Sequence, residues 1–319
     1  MIESIHEEGM VLLRAAAEVV ELPEPSPPEV VRAAVADADA VVVRLYPVTA
    51  ALIEAAPKLR VIGRHGVGVD TVDVATATRR GVAVVYTPGA NSQAVAEHAL
   101  TLMLAVAKQI VMLDRDVREG RFGSRRVTAL DLDRKVLGLV GVGQVGRRVA
   151  GMCRGAFEMR VLAYDPYVAT PLPGVTMVRT LHDLLAEADI VSVHAPLTPE
   201  TRGLIAAAEL ARMKPTAILI NTARGPIVDE VALAEALRAG RIAGAGLDVF
   251  AQEPVPAGHP LLGIPNAVLT PHSASRSEGG LRGMARMVAE GVVAVLRGEQ
   301  PPAVANPEAC AHLRPRQGA

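Results

Sequence analysis

The run Val136-Leu137-Gly138-Leu139-Val140-Gly141-Val142-Gly143-Gln144-Val145-Gly146, with Asp165 nineteen residues past its last glycine, constrains the fold more than any other part of this chain. The apolar stretch 136–142 reads as a buried parallel strand. Gly141, Gly143 and Gly146 set a GxGxxG pattern where that strand would turn into a helix. The first glycine permits a tight turn, the second lets backbone approach a pyrophosphate, and the third lets helix and strand pack closely. The helix start presents N–H groups and the positive end of a dipole to such an anion. Asp165 ends a second apolar run, Val161-Leu162-Ala163-Tyr164, where its carboxylate can accept hydrogen bonds from an adenosine ribose. A lone GxGxxG is a weak signal; two framing strands and an acid at this spacing make it specific.

At 319 residues the chain exceeds one ordinary core, so two domains are expected. Half of the residues are hydrophobic (50%) and the formal net charge is -1, which points to a globular enzyme and gives no reason to expect a polyanionic partner. No apolar run reaches the roughly 18 residues of a membrane span. The acidic start, Met1 to Glu8, lacks a signal-peptide pattern. Cys153 and Cys310 are too few for a disulfide framework or a zinc cluster, so no metal is expected and a reducing, cytoplasmic compartment fits. With no Trp, three Phe and four Tyr, the chain also lacks the stacking platform of a single-stranded nucleic-acid binder.

Short Val/Ile/Leu runs alternate with helical patterns almost throughout, the signature of parallel sheets covered by helices. Strands are expected at 18–22, 40–44, 60–63 and 82–86, with helices at 28–35, 49–55 and 72–80. One long helix is expected over 92–119; its apolar residues occupy more than one face, which implies burial between layers or in a subunit contact. Around the glycine turn, strands are expected at 136–141, 160–165, 190–194, 217–221, 244–249 and 267–269. Helices fall at 144–156, 181–187, 206–213, 229–239 and 278–296. Six strands with their crossovers make a complete Rossmann domain at 98–290. Residues 1–97 with 291–319 form the other domain. The fold class is thus α/β: two Rossmann-like, doubly wound parallel-sheet domains with a cleft between them, where a cofactor and a small substrate would meet.

Oxidation of an alcohol by a nicotinamide needs a base, a partner that holds the base, and a cation for the substrate's carbonyl or carboxylate. Three residues at strand ends fit. Arg224 follows Ile220-Asn221-Thr222-Ala223 and offers a planar bidentate donor. Glu253 follows Asp248-Val249-Phe250, and His272 follows Leu269-Thr270-Pro271. Singly, a loop Arg, Glu or His is more often a solvated surface group. Together, at the carboxyl edge of one sheet, they are hard to explain that way.

These segments resemble the D-isomer-specific 2-hydroxyacid dehydrogenases. The resemblance covers nearly the whole chain and rests on several long, ordered motifs: Gly63-Arg64-His65-Gly66-Val67-Gly68-Val69-Asp70, Thr87-Pro88-Gly89-Ala90-Asn91-Ser92, the glycine turn, His194-Ala195-Pro196-Leu197-Thr198-Pro199, Asn221-Thr222-Ala223-Arg224-Gly225, Asp248-Val249-Phe250 and Thr270-Pro271-His272. It implies that His272 is the general acid/base, that Glu253 orients it and favours its protonated form, and that Arg224 binds the substrate carboxylate. The backbone of Gly66, Val67 and Gly68 would hold that carboxylate from the other domain. On the cofactor side the resemblance puts Gln144 and Val145 at the pyrophosphate and Asp165 at the ribose. Ala195 and Pro196 would lie beside the adenosine, Thr222 and Asp248 near the nicotinamide. His194 reads as structural. The family also implies a homodimer built on the nucleotide domains, with no nucleic acid and no membrane as partner.

The Asp165 carboxylate would repel a 2'-phosphate, and Pro166 and Tyr167 offer no cation to offset it, so NAD is favoured. Phosphoglycerate dehydrogenases of the family carry basic residues toward a distal phosphate. Arg44 and Arg64 fall at similar positions, and Arg125 and Arg126 lie where a further cation could arise. A substrate with a second anionic group, such as 3-phosphoglycerate, is therefore expected ahead of glyoxylate or hydroxypyruvate. Two departures stand out. Only Met1 and Ile2 precede Glu3, so either the first strand is very short or the true start lies upstream. Ser273-Ala274-Ser275 lacks a glycine found there in many members. The short tail past residue 300 argues against a serine-regulated form. Formate dehydrogenase is disfavoured because it has Gln where this chain has Glu253. An NAD-sensing corepressor on the same fold would share the motifs and is the alternative from another class.

Overall fold

The computed structural model of the protein describes residues 1–122, 128–168, 170, 172–311 and 313. In chain order the elements begin with α1 (Glu7–Arg14), α2 (Pro28–Val35), β1 (Ala40–Val43), α3 (Ala50–Glu54), β2 (Val61–Arg64), α4 (Val74–Arg79) and β3 (Ala83–Val85). There follow α5 (Ser92–Ala107), α6 (Ile110–Arg118), β4 (Val136–Val140), α7 (Gln144–Phe157), β5 (Arg160–Tyr164), β6 (Val175–Met177), α8 (Leu181–Glu187) and β7 (Ile190–Val193). The last are α9 (Ala207–Leu210), β8 (Ile218–Asn221), α10 (Glu230–Arg238), β9 (Gly244–Leu247), β10 (Ala267–Leu269) and α11 (Glu278–Arg297).

Two compact units divide the chain: Met1–Asn91 with Arg276–Ala319, and Ser92–Ser275. The boundaries expected at 97/98 and 290/291 lie inside what prove to be single helices. A helix forms cooperatively and packs as one body, so the divisions fall just before α5 and α11 instead. Over its whole length α11 belongs to the first unit, burying Met284, Val288, Val292 and Val295.

In the first unit β1, β2 and β3 form a parallel sheet in that order. Val41, Val43, Ile62 and Val84 lead one buried cluster, and Val42, Val61, Ala83 and Val85 face α11 in another. Both faces of each strand are therefore apolar, as a covered parallel sheet requires. The strand expected at 18–22 does not form. Its ladder amounts to the Met1 ammonium donating to the Val20 carbonyl at 2.8 Å and the Leu22 N–H to the Met1 carbonyl at 3.0 Å. The four prolines between 23 and 28 end the run before it can pair further. α1 has no counterpart among the expected helices; His6 caps it through Nδ1, which accepts from the Glu8 N–H, and it buries Gly9, Met10 and Leu13.

The second unit holds a seven-stranded parallel sheet, ordered β10-β9-β8-β7-β4-β5-β6. Seven strands stand where six were expected, because the three-residue β6 pairs along β5 as a half-exposed edge too short to read from pattern. Strand order reverses between β4 and β7, the point at which open α/β sheets bind ligands beyond their carboxyl ends. The single helix expected over 92–119 is two. Gln109 adopts a left-handed φ of 51° and the axis turns by 60° between α5 and α6. α5 is buried along β8, β9 and β10, whereas α6 buries no residue. Among the described residues no single helix is long and apolar enough to cross a membrane.

One side chain fastens the C-terminal segment to the first unit's edge strand. Asn306, 2% exposed, accepts from the Val84 N–H at 2.8 Å and donates to the Val82 carbonyl at 2.9 Å and Thr78 Oγ1 at 3.0 Å. Asn306→Ala strands two buried backbone groups and should cost about 2–3 kcal/mol. Urea denaturation measures this; a loss under about 0.5 kcal/mol would mean that water or a shifted chain replaces the amide.

Candidate active site

The described second-unit residues singled out in the sequence lie at the carboxyl ends of strands, in the loops there or, for Gln144, Val145 and Gly146, in the first turn of α7. The glycine turn follows β4, Asp165 follows β5, Ala195 and Pro196 follow β7, and Thr222 and Arg224 follow β8. Asp248 and Glu253 follow β9, and His272 follows β10. Parallel pairing brings these loops to one edge of the sheet, although they span more than a hundred residues of sequence.

At the strand-order reversal, Gly141 has a φ of +91°, and a Cβ on it would come within 2.7 Å of the Ala195 nitrogen. Gly146 lies so close to this turn that its Cβ would meet the Gly141 carbonyl oxygen at 2.5 Å. Gly143 faces open space and starts α7 with no side-chain cap, so the helix's first N–H groups point at an uncrowded volume beside Gln144 and Val145. Asp165 braces the turn. Its Oδ2 accepts from the Val142 N–H and its Oδ1 from the Tyr167 N–H, each at 3.0 Å. A carboxylate oxygen has a second lone pair, which leaves room for ribose hydroxyls. Thr222 Oγ1 is buried with no hydrogen-bond partner among the described residues. An open, uncapped helix start, a fixed carboxylate and an orphaned buried hydroxyl fit a dinucleotide. His194 shares a hydrogen bond with Ser192 Oγ at 2.9 Å, and desolvation pushes its imidazole down to about 4, which favours the neutral ring.

His272 Nδ1 lies 2.6 Å from Glu253 Oε2. The other carboxylate oxygen, Oε1, accepts from the Phe250 N–H at 2.9 Å. Burial would raise the Glu253 carboxyl, but the hydrogen bonds from His272 and Phe250, with the charges of His272 and Arg224, outweigh it and hold the group below the ordinary glutamate value. Arg224 approaches from the β8 loop, where Asn221 fixes the turn: its Oδ1 accepts from the Ala223 N–H and its Nδ2 donates to the Arg224 carbonyl.

Asp248 is 0% exposed. Its Oδ1 accepts from Thr270 Oγ1 at 2.6 Å and from the Ser273 N–H at 2.8 Å, and its Oδ2 from the Ala274 N–H at 2.8 Å. These donors flank His272 on both sides, and the His272 N–H donates to the Asp248 carbonyl at 2.7 Å. They hold His272 at a left-handed φ of 48°, a conformation costly to a residue with a Cβ unless its surroundings impose it. Sequence reading missed His98, on α5, whose Nε2 lies 2.9 Å from Thr270 Oγ1 and 3.5 Å from Asp248 Oδ1. The available signal was a histidine, next to Glu97, in the mainly apolar α5.

In the first unit Arg44 and Arg64 stand at neighbouring strand ends, since Val43 pairs with Arg64. Arg64 is 5% exposed and folds over Gly66, its Nη1 donating to the His65 carbonyl at 2.5 Å. Burial, and then the charge of Arg44, push the His65 imidazole down to about 4. Glu3 accepts from the Arg44, Leu45 and Tyr46 N–H groups and so fixes the turn that carries Arg44. Val67 is 41% exposed beside Gly68. Arg125 and Arg126 lie outside the described residues. No cluster of potential metal ligands occurs among the described residues.

Burial favours the neutral form of Asp248, yet the bonds from His98, Thr270, Ser273 and Ala274 hold its carboxyl below the usual aspartate range. A carboxyl that is more acidic folded than unfolded contributes stability above the unfolded value, and the contribution is lost as pH falls through the folded one. Asp248→Asn should therefore cost about 2–3 kcal/mol at pH 7 and flatten the stability–pH curve below pH 5. An acid limb as steep in the variant as in the wild type would place its source elsewhere.

Residues 100–274 match the family model described as the D-isomer specific 2-hydroxyacid dehydrogenase, NAD binding domain. The chain is 46% identical over 282 residues to a glyoxylate reductase of Korarchaeum cryptofilum, covering 86% of this chain and 84% of that one. It is 44% identical over 264 residues to a D-3-phosphoglycerate dehydrogenase of Archaeoglobus fulgidus, covering 82% of this chain but only 50% of that longer protein. Among solved structures, the TT0316 protein from Thermus thermophilus superposes with a TM-score of 0.87 at 39% identity, over 95% of this chain and 97% of that one. A glyoxylate reductase from Paecilomyes thermophila superposes with a TM-score of 0.85 at 29% identity, over 95% of each chain. The chain belongs to the D-isomer-specific 2-hydroxyacid dehydrogenases, NAD-dependent oxidoreductases that act on the CH–OH group of their donors.

Proposed function

We propose that His272, Glu253 and Arg224 carry the interconversion of a D-2-hydroxy acid and its 2-oxo acid, and the observation that carries this reading is the 2.6 Å contact of His272 with Glu253. With Nδ1 bonded to a carboxylate, the ring's second nitrogen, Nε2, is the one left to exchange a proton with substrate. In the reducing direction His272 gives that proton to the carbonyl oxygen; in the oxidising direction it takes the hydroxyl proton. Glu253 fixes the ring's orientation and tautomer and faces the positive charge that His272 carries when protonated. Arg224 holds the substrate carboxylate with its planar donors and polarises the neighbouring carbonyl. The bound nicotinamide supplies the hydride acceptor or donor. Its dinucleotide would be held by the glycine turn with Gln144 and Val145, by Asp165 at the ribose, by Ala195 and Pro196, and by Thr222. Asp248, with both oxygens engaged by the His272 loop, would act through that loop, at the nicotinamide end of the site.

For the first unit we propose a substrate-binding role, with Gly66, Val67 and Gly68 taking an anionic group through backbone and Arg44 and Arg64 adding positive charge. Two cations at adjacent strand ends, and a histidine kept neutral beside them, favour a second anion on the substrate, as in 3-phosphoglycerate. Glyoxylate or hydroxypyruvate is the second reading, favoured by two relatives named glyoxylate reductase, of which the chain covers 84% and 93%.

NADH absorbance with a panel of 2-oxo acids tests both parts. His272→Ala should lower kcat by about two to four orders of magnitude while NADH still binds. Retained turnover would remove His272 from the chemistry. Arg44→Ala should raise KM for hydroxypyruvate phosphate about tenfold or more and leave that for glyoxylate nearly unchanged. Equal effects on the two would favour the glyoxylate reading.

A cytoplasmic homodimer completes the proposal. Cys153 and Cys310 are both free and buried, in keeping with a reducing compartment. On α6, Ile110, Val111 and Val117 are each at least half exposed, and α6 and β10 border a groove of about 390 Å³. Sedimentation equilibrium at micromolar concentration should give twice the 33.4 kDa chain mass, and Val111→Glu should reduce it. A monomer in the unmodified protein would exclude this assembly.

A further inference from the structure

The loop that carries Glu253 also meets a second histidine–carboxylate pair, and this one is buried. Glu230, the first residue of α10, and His259 have side chains 10% and 8% exposed, and His259 Nε2 lies 3.0 Å from Glu230 Oε2. The other Glu230 oxygen, Oε1, accepts from the Ala251 N–H at 2.8 Å. The Leu261 N–H donates to His259 Nδ1, so in this arrangement the ring proton sits on Nε2 and points at Glu230. The His259 ring also meets the edge of Phe250, with ring centroids 5.9 Å apart and planes at 83°.

The loop gripped in this way is the one that sets the reach of Glu253. Phe250 supplies the N–H that holds Glu253 Oε1, and Ala251 is its neighbour. Gly225, next to Arg224, is pressed so tightly against this turn that a Cβ there would overlap the Phe250 carbonyl carbon. The turn is thus fixed on one side by glycine-to-backbone packing and on the other by Glu230 and His259. Neither residue of that pair makes a hydrogen bond or ion pair with His272.

We infer that the Glu230–His259 pair is a positioning element, which locks the Phe250–Ala251 turn and thereby sets the distance between Glu253 and His272. This rests on the proposed role of Glu253. Without the pair the turn loses both its Ala251 anchor and the ring against Phe250, and the Glu253 carboxylate is free to drift. A displacement of about 1 Å in such a partner can cost as much as 100-fold in rate.

The test is a double-mutant cycle on kcat, with KM and NADH affinity followed beside it. Glu230→Ala should lower kcat about 10- to 100-fold, with KM for the 2-oxo acid and Kd for NADH within about twofold. Glu230→Gln keeps an acceptor for Ala251 but presents no second oxygen to His259, and should recover part of the loss. In a Glu253→Gln background, Glu230→Ala should add little, since the group it positions is already gone. His259→Phe keeps the ring contact and deletes the donor, and supplies the same cycle if Glu230→Ala does not fold. Full additivity with an impaired Glu253→Gln, or a fall in melting temperature at unchanged kcat, would overturn the inference and leave the role of Glu253 standing. A Glu253→Gln enzyme with full kcat would overturn both.

Discussion

The buried carboxylate of Asp248 is the constraint on which the chemistry of the second unit depends. An ionised group with no exposure must be met by donors, because leaving it unpaired would cost several kcal/mol. Beside His98 of α5, the donors are Thr270 Oγ1 and the Ser273 and Ala274 amides, and the chain delivers these three by wrapping around the β9 end. His272 sits at the middle of that wrap and has no freedom to relax from its left-handed backbone. Its ring is thereby brought to Glu253 before any substrate is present, and in the reaction proposed for the pair, groups placed in advance would cost no reorganisation.

The same logic of enforced closeness runs along the sheet edge. The β4 turn lies against the Ala195 backbone because Gly141 has no side chain to hold them apart, and α7 starts against that turn because Gly146 has none. Gly225 does the equivalent between the loops that carry Arg224 and Glu253. Side-chain hydrogen bonds then lock what the missing side chains permit: Asp165 across the glycine turn, Asn221 across the Arg224 turn, Glu230 across the Ala251 turn. Each lock joins a strand end to a segment distant in sequence or closes a short turn. The loops are consequently cross-braced along one edge of the sheet.

Much of this is legible in the sequence, and for identifiable reasons. The parallel α/β class follows from apolar runs too continuous for half-exposed strands, such as Val136–Val140 and Ile190–Val193, each buried along nearly its whole length. What escapes such reading is local geometry set by neighbours. The break at Gln109 leaves no mark in the apolar pattern, which continues from Val106 to Ile110 and Val111. α1 is hidden because its first turn is charged and its apolar face is short. β6 is hidden because three half-exposed residues carry no period. The 18–22 run is over-read, since β-forming residues without a partner strand do not make a strand.

The sequence by itself determined which residues could react and which turn could take a dinucleotide, because glycine spacing and residue chemistry are local properties of the chain. It could not determine that His272 would meet Glu253 at 2.6 Å, that Asp248 would be wholly enclosed, or that His98 and the Glu230–His259 pair would stand behind them. Those relations depend on strand order. Only when β8, β9 and β10 lie side by side do loops separated by tens of residues share one edge. Contact across that distance is a property of packing, and packing exists only in the folded molecule.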